Sequence, residues 1–181
     1  MNKARLYQKY CDEVRPSLAK ALGKKNLMSV PAFEKVVVSM GLGSQLGDAK
    51  YVAEACEELF LITGQKPVVT KAKKSIAAFK LRKGMPVGCK VTLRRKMMYE
   101  FIDRLVHIAF PQIKDFRGMR AAQFDGNGNF ALGLKEQMVF PEIEYDNVSA
   151  TRGMNIVIVT SSRSDEEAKA LLQAFNVPFI I

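Results

Sequence analysis

The chain has 181 residues, 28 Lys/Arg against 18 Asp/Glu for a net charge of +10, and 48% hydrophobic residues. That length and composition suit one globular domain with its own core and exclude a disordered chain or one that needs metal or disulfide staples. Three scattered cysteines, Cys11, Cys56 and Cys89, read as small apolar residues in a reducing compartment. One histidine and no CxxC pair speak against structural zinc, and apolar runs such as Ile76–Phe79 are too short to span a bilayer.

The start, MNKARLYQKYCDE, has no apolar signal core and carries acids early. Leu6, Tyr10, Val14, Leu18 and Leu22 then recur every four residues, which predicts an amphipathic helix that Pro16 kinks or breaks near residue 15. Phe33 to Met40 alternates as a strand, with Val36, Val38 and Met40 inward and Lys35, Val37 and Ser39 outward. Asp48 is placed to cap a helix over 49–63 that Gly64 ends. Its expected buried face is Val52, Ala55, Cys56, Leu59 and Phe60.

A short strand, 67–71, leads into a long basic loop at 72–86. Val87 to Arg94 alternates next, with Val87, Cys89, Val91 and Leu93 facing the core and Gly88, Lys90, Thr92 and Arg94 facing out. A helix over 96–110 buries Met98, Phe101, Ile102, Leu105 and Ala109, and Pro111 is expected to stop it. Asp125-Gly126-Asn127-Gly128 is a turn, 129–134 a strand, 136–152 a mixed loop and 155–160 an apolar strand. Ser164-Asp165-Glu166-Glu167 fits a capping box that opens a last helix to about Phe175. Intermingled helices and strands with hairpin signals make the class α+β, read as a single domain over 1–181.

Charge is distributed very unevenly. Residues 66–96 hold eleven Lys/Arg and no acid; the remaining 17 basic residues face 18 acidic ones. Like charges crowded in this way call for a polyanion, and nucleic-acid phosphate is the expected partner. The basic loop is the first candidate contact, through Lys73, Lys74, Ser75, Phe79, Lys80, Arg82 and Lys83. Phe79 either stacks on a base or anchors the loop to the core, and anchoring is the expectation. Self-repulsion is expected to keep the loop extended and mobile. The second candidate is the outward strand face with Ser39, Lys90, Thr92 and Arg94, where hydroxyls beside cations suit phosphate and ribose 2′-OH. A plain solvent face would have the same pattern.

Other motifs have ordinary readings. Gly41-Leu42-Gly43-Ser44-Gln45-Leu46-Gly47 misses the GxGxxG spacing and the Gly-Lys-Ser/Thr ending, so it reads as a tight strand exit. His107, one turn from Asp103, reads as a surface pair, and no catalytic constellation appears. No cofactor or metal is expected.

Several long motifs stand in a distinctive order: Ile62-Thr63-Gly64-Gln65-Lys66-Pro67-Val68-Val69-Thr70-Lys71-Ala72-Lys73-Lys74-Ser75; Gly88 to Arg94; Asp115-Phe116-Arg117-Gly118; Phe124 to Asn129; and Lys135-Glu136-Gln137 running to Phe140-Pro141-Glu142-Ile143. Together with Asp165-Glu166-Glu167 and the final Pro178-Phe179 they resemble bacterial large-subunit ribosomal protein five, the 5S-rRNA-binding family of the central protuberance. The resemblance implies an antiparallel-rich sheet with helices packed on one face and an RNA-binding outer face. It implies 5S rRNA contacts at Ser39, Met40, Gly41, Gln65, Lys66, Lys71, Lys90, Thr92 and Arg94. It implies that the loop from Lys73 to Lys83 reaches P-site tRNA, and that the segment around Pro141 to Arg152 faces the small-subunit head and its protein thirteen. Further implied partners are 23S rRNA and neighbouring central-protuberance proteins, in the cytoplasm and away from any membrane. Two departures stand out: Ser39 replaces the family's usual Asn, and Arg94-Arg95-Lys96 replaces the usual Arg-Gly-Glu.

Overall fold

The computed structural model describes residues 4–43, 49–113, 116–143, 145 and 148–180. The predicted cap Asp48, the stretch Ser44 to Gly47 of the glycine cluster, and Asp115 lie outside these residues. Five strands, β1 (Phe33–Gly41), β2 (Val68–Lys71), β3 (Pro86–Leu93), β4 (Phe130–Leu134) and β5 (Met154–Thr160), form an antiparallel sheet in the order β2-β3-β1-β5-β4. With the helices, this is the α+β class that the alternating and helical periodicities predict.

The chain divides into two compact units. The first comprises Met1–Val36, Arg94–Leu132 and Val157–Ile181. Its N-terminal helical segment runs as α1 (Arg5–Lys9), a π-helical turn (Tyr10–Val14) and α2 (Arg15–Ala21). Pro16 follows the π turn by two residues. Pro111 stands in the same relation to a second π turn, Leu105–Ala109, between α4 (Arg95–Arg104) and α5 (Phe110–Gln112). A proline ring clashes with the carbonyl four residues back and supplies no N–H, and a wider π turn just before it relieves both problems. Pro111 therefore does not stop its helix; the last turn continues to Gln112. Phe33 packs against Tyr99 and Phe175, with ring centroids 6.0 and 5.0 Å apart, and Tyr10 stacks on Phe175. Burying each of these side chains contributes about 1.5–3 kcal/mol.

In the same unit, α6 (Asp165–Ala174) starts at Ser164, whose hydroxyl accepts from the Glu167 N–H. Only half of the expected capping box forms, because the Glu167 carboxylate pairs with Lys24 at 2.7 Å. The predicted turn is cross-braced: Asp125 accepts from the Asn127 and Asn129 amides, while the Asp165 carboxylate accepts from those of Gly126 and Gly128.

The second unit comprises Val37–Leu93 and Gly133–Ile156. Its helix, α3 (Ala49–Thr63), buries Val52, Ala55, Leu59 and Ile62. Phe60, expected on that face, is 48% exposed, and Cys56 is half-buried. The buried stripe runs through Ile62 instead, leaving Phe60 and Leu61 on its flank. Cys89 of β3 reaches the Ala55 carbonyl at 3.8 Å, and burial, with the Cys56 thiol beside it, pushes the Cys89 thiol up to about 12.

Candidate nucleic-acid interface

Strands β2 and β3 pair antiparallel with Val68 opposite Lys90, Val69 opposite Cys89 and Thr70 opposite Gly88. Opposed residues share a face, so Lys90 and Thr92 stand with Val68 and Thr70 on the side away from the core, while Cys89, Val91 and Leu93 are buried. The sequence reading missed Val68 and Thr70, although the alternation of β2 and its pairing to β3 put them there. Gly88 sits on the same side at a close approach. A Cβ there would meet the Met40 carbonyl oxygen at 2.5 Å and the Thr70 hydroxyl at 3.3 Å.

On β1, Ser39 is half-buried beside the outward positions Lys35 and Val37, and Gly41 is exposed. Met40 is 1% exposed, its side chain in the core. As an interface residue it offers only backbone atoms, and its carbonyl is the one that faces Gly88. Leu42 continues the strand end, donating its N–H to the Val87 carbonyl at 3.0 Å. That pairing makes Gly41-Leu42-Gly43 a strand exit, with Gly43 at φ +45°, rather than a phosphate cradle.

Gln65 and Lys66 are held exposed by the end of α3. Gly64 takes φ +69° as the C-terminal cap, and the buried Thr63 hydroxyl donates to the Leu59 carbonyl and accepts from the Gln65 N–H. Lys71 follows at the end of β2, where the register with β3 shifts. Arg94 directly follows β3 in extended conformation and is exposed; Arg95, the next residue, is left-handed at φ 51°. Glycine adopts that conformation without a steric penalty, and here an arginine holds it.

The basic loop is not the open arm expected from its charge. Ile76 and Leu81 exchange N–H···O bonds of 3.0 and 3.1 Å around a 3-10 turn, Ala77–Phe79, and Lys80 closes it at φ 52°. Nearer the base, Ala72 donates to the Met85 carbonyl, Gly84 donates to that of Ala72, and the Lys83 N–H reaches the Ser75 hydroxyl. Backbone bonding thus folds the loop back on itself despite the repulsion of its side chains. Phe79 is 67% exposed and anchors nothing in the core, because the tip that carries it points into solvent.

All eleven cations of residues 66–96 are exposed. Among the described residues, Lys96 alone of these forms an ion pair, with Glu100 at 3.4 Å. Elsewhere several cations are matched: Arg5 clasps Asp103 through two bonds, Lys24 meets Glu167, and Arg152 meets Glu54 and Glu58. Asp103 also stands 2.9 Å from His107, so the predicted surface pair forms. The described residues contain no group of His, Cys, Asp and Glu able to hold a metal, and no helix among them is long and apolar enough to cross a membrane.

The largest feature that the sequence concealed lies in the mixed loop before β5. Arg152, 1% exposed, places its guanidinium against Glu58, reaches Glu54 at 3.1 Å and stacks over the Tyr51 ring at 4.2 Å. Buried Gln137 accepts from the Arg152 N–H and donates to the Ala150 carbonyl, while the Ser149 hydroxyl donates to Glu54 at 2.6 Å. Burial works to lower the Arg152 pKa, and Glu58, Tyr51 and Glu54 together more than offset it. The Ser149 hydroxyl, helped by Arg152, holds Glu54 below its ordinary value. Nothing in the local spacing around residue 152 signals partners almost a hundred residues away.

An exposed, unneutralised cation cluster on and beside a sheet is the setting in which comparison with known proteins decides. The profile described as ribosomal protein L5 matches residues 26–82, and the profile for the C-terminus of the same ribosomal family matches residues 86–179. The chain belongs to the ribosomal protein L5 family. Among its relatives named large ribosomal subunit protein uL5, that of Chromobacterium violaceum is 58% identical, that of Syntrophus aciditrophicus 57% and that of Geotalea uraniireducens 54%. Each comparison covers 97% of this chain and 98% of the relative. Like the rest of the L5 family, the chain is a structural component of the large ribosomal subunit and not an enzyme.

Proposed function

We propose that the chain holds 5S rRNA on the outer side of β1, β2 and β3, through Ser39, the backbone at Met40 and Gly41, and Gln65, Lys66, Lys71, Lys90, Thr92 and Arg94. The folded basic loop, with Lys73, Lys74, Ser75, Phe79, Lys80, Arg82 and Lys83, reaches P-site tRNA. The segment around Pro141 to Arg152 faces the small-subunit head and its protein thirteen, and 23S rRNA and central-protuberance proteins complete the surroundings. The observation that carries this reading is the set of exposed cations without acidic partners, standing beside short hydroxyls on a strand face. Phosphates would supply the missing counter-charge, and Thr92 and Thr70 suit the ribose 2′-OH. Phe79, exposed at the loop tip, suits stacking on a base better than it suits anchoring.

The test is a salt series. If about five phosphates are neutralised, log K for 5S rRNA falls with log salt at a slope of about −3.5 to −4.5. A flat response would defeat the electrostatic account.

A further inference from the structure

The first unit contains a groove of about 980 Å³ that the proposed RNA contacts do not use. Its wall is apolar and aromatic: Tyr7, Tyr10, Phe33, Met98 and Tyr99 line it, with Met28 at the lip. The rings are fixed among themselves, Tyr7 and Tyr99 edge-to-face at 5.3 Å, and the Tyr10 hydroxyl is satisfied by the Pro31 carbonyl at 3.0 Å. What remains open to solvent is part of the Tyr7 ring, 38% exposed, and an aliphatic and thioether lip. Met28 is 81% exposed and Leu27 50%. They are held outward, because Arg15 donates from Nε to the Leu27 carbonyl at 3.0 Å and from Nη2 to the Met28 sulfur at 2.9 Å. A side chain that adapts readily to a partner's surface is thus fixed in place where a partner would meet it.

The rim is cationic. Arg15, Arg95 and Lys96 border the groove against the single acid Glu34. Lys96 is shared with Glu100 on its own helix, whereas Arg95 has no ion-pair partner among the described residues. Arg95 also occupies a left-handed backbone position, and no acid stands in the first turn of α4. The left-handed position disfavours any side chain with a Cβ, and the positive end of the helix disfavours a cation, so the charge of Arg95 calls for an anionic counterpart.

We propose that this groove docks an acidic, amphipathic helical segment of a partner protein. Its apolar side chains would lie along the Tyr7, Met28 and Met98 wall, and its flanking carboxylates would pair with Arg95 and Lys96, the helix-in-groove mode with charge complementarity at the rim. RNA fits the groove less well. Base stacking needs open ring faces, and of the four rings that line the groove Tyr10, Phe33 and Tyr99 are buried; Tyr7, 38% exposed and edge-to-face with Tyr99, is a single ring beside a larger thioether and aliphatic surface.

The test replaces Met28, and separately Leu27, with a photo-crosslinking phenylalanine analogue and irradiates purified large subunits that carry the chain. The expected product is a protein crosslink whose peptide, identified by mass spectrometry, is acidic with apolar residues at helical spacing. Its yield should fall at least fivefold when Arg95→Gly is added. That change removes the cation and relieves the backbone conformation, so misfolding does not explain the loss. An RNA crosslink, a basic peptide, no crosslink from either position, or a yield unmoved by Arg95→Gly would each overturn the proposal. Incorporation of the chain into subunits, and its binding to isolated 5S rRNA, are read separately, so failure of the RNA assignment remains distinguishable from failure at the groove.

Discussion

The basic loop at 72–86 and the segment from Gln137 to Arg152 look alike in sequence, as long irregular stretches between strands, but opposite physics holds them. The first turns its charges outward and is secured by main-chain bonds: Ala72 to Met85, Gly84 to Ala72, and Ile76 with Leu81. The second turns charge inward, with Arg152 and Gln137 buried against Glu54 and Glu58. An internal cation matched by two carboxylates serves the fold. A surface cation without a carboxylate is available to a partner. The proposed interface draws on cations of the second kind, and the fold of the segment before β5 on one of the first.

Breaking the inward network should have the largest effect. Arg152→Ala strands the Glu54 and Glu58 carboxylates and empties a packed site, and should destabilise the protein by about 3–5 kcal/mol in denaturant unfolding. A loss below about 1 kcal/mol would show that the network is dispensable. The next effect belongs to the strand face. Gly88→Ala sets a methyl against the Met40 carbonyl and should cost about 1–3 kcal/mol, with a lower midpoint in the same experiment. Unchanged stability would mean that β1 and β3 are not packed so closely.

Acid provides a smaller and broader test. Asn129, through its side chain and then its amide, together with the Asn127 amide, holds Asp125 below its ordinary value, and Ser149 with Arg152 does the same for Glu54. A carboxylate whose pKa is depressed in the folded state adds stability above its unfolded value, and that stability is lost as pH falls through the folded value. Thermal stability should therefore decline as pH drops below the ordinary carboxylate range, and Asp125→Asn should flatten part of that decline. An identical pH profile for the variant would contradict the assignment.

Much of this was legible in the chain. The alternation of β1 and β3 and the four-residue repeat of the first helix gave faces that burial matches at Val36, Val38, Met40, Cys89, Val91 and Leu93. Both prolines marked real irregularities, but a proline alone does not say whether a helix ends or passes through a π turn; that depends on packing on either side. Phe60 illustrates the limit of periodicity: a stripe drifting around a 15-residue helix can leave it on either flank, and tertiary contact decides. The fold of the basic loop escaped because repulsion between its side chains was visible in sequence and its main-chain pairing was not. Val68 and Thr70 joined the candidate face only once the β2–β3 register was fixed. Arg152 could not be found at all, since Glu54 and Glu58 reach it only through the folded chain.

The most direct test of the outward half of this comparison sets two groups of exposed cations against each other. Affinity for 5S rRNA is measured at fixed salt for Lys90→Ala/Thr92→Ala/Arg94→Ala, and for Lys73→Ala/Lys74→Ala/Lys80→Ala/Arg82→Ala. Both variants should keep their stability within about 0.5 kcal/mol per substitution, because none of these side chains is fully buried. The strand-face variant should lose affinity several-fold or more, and the loop variant much less, although the latter removes more charge. Equal losses, or a larger loss from the loop, would contradict the account.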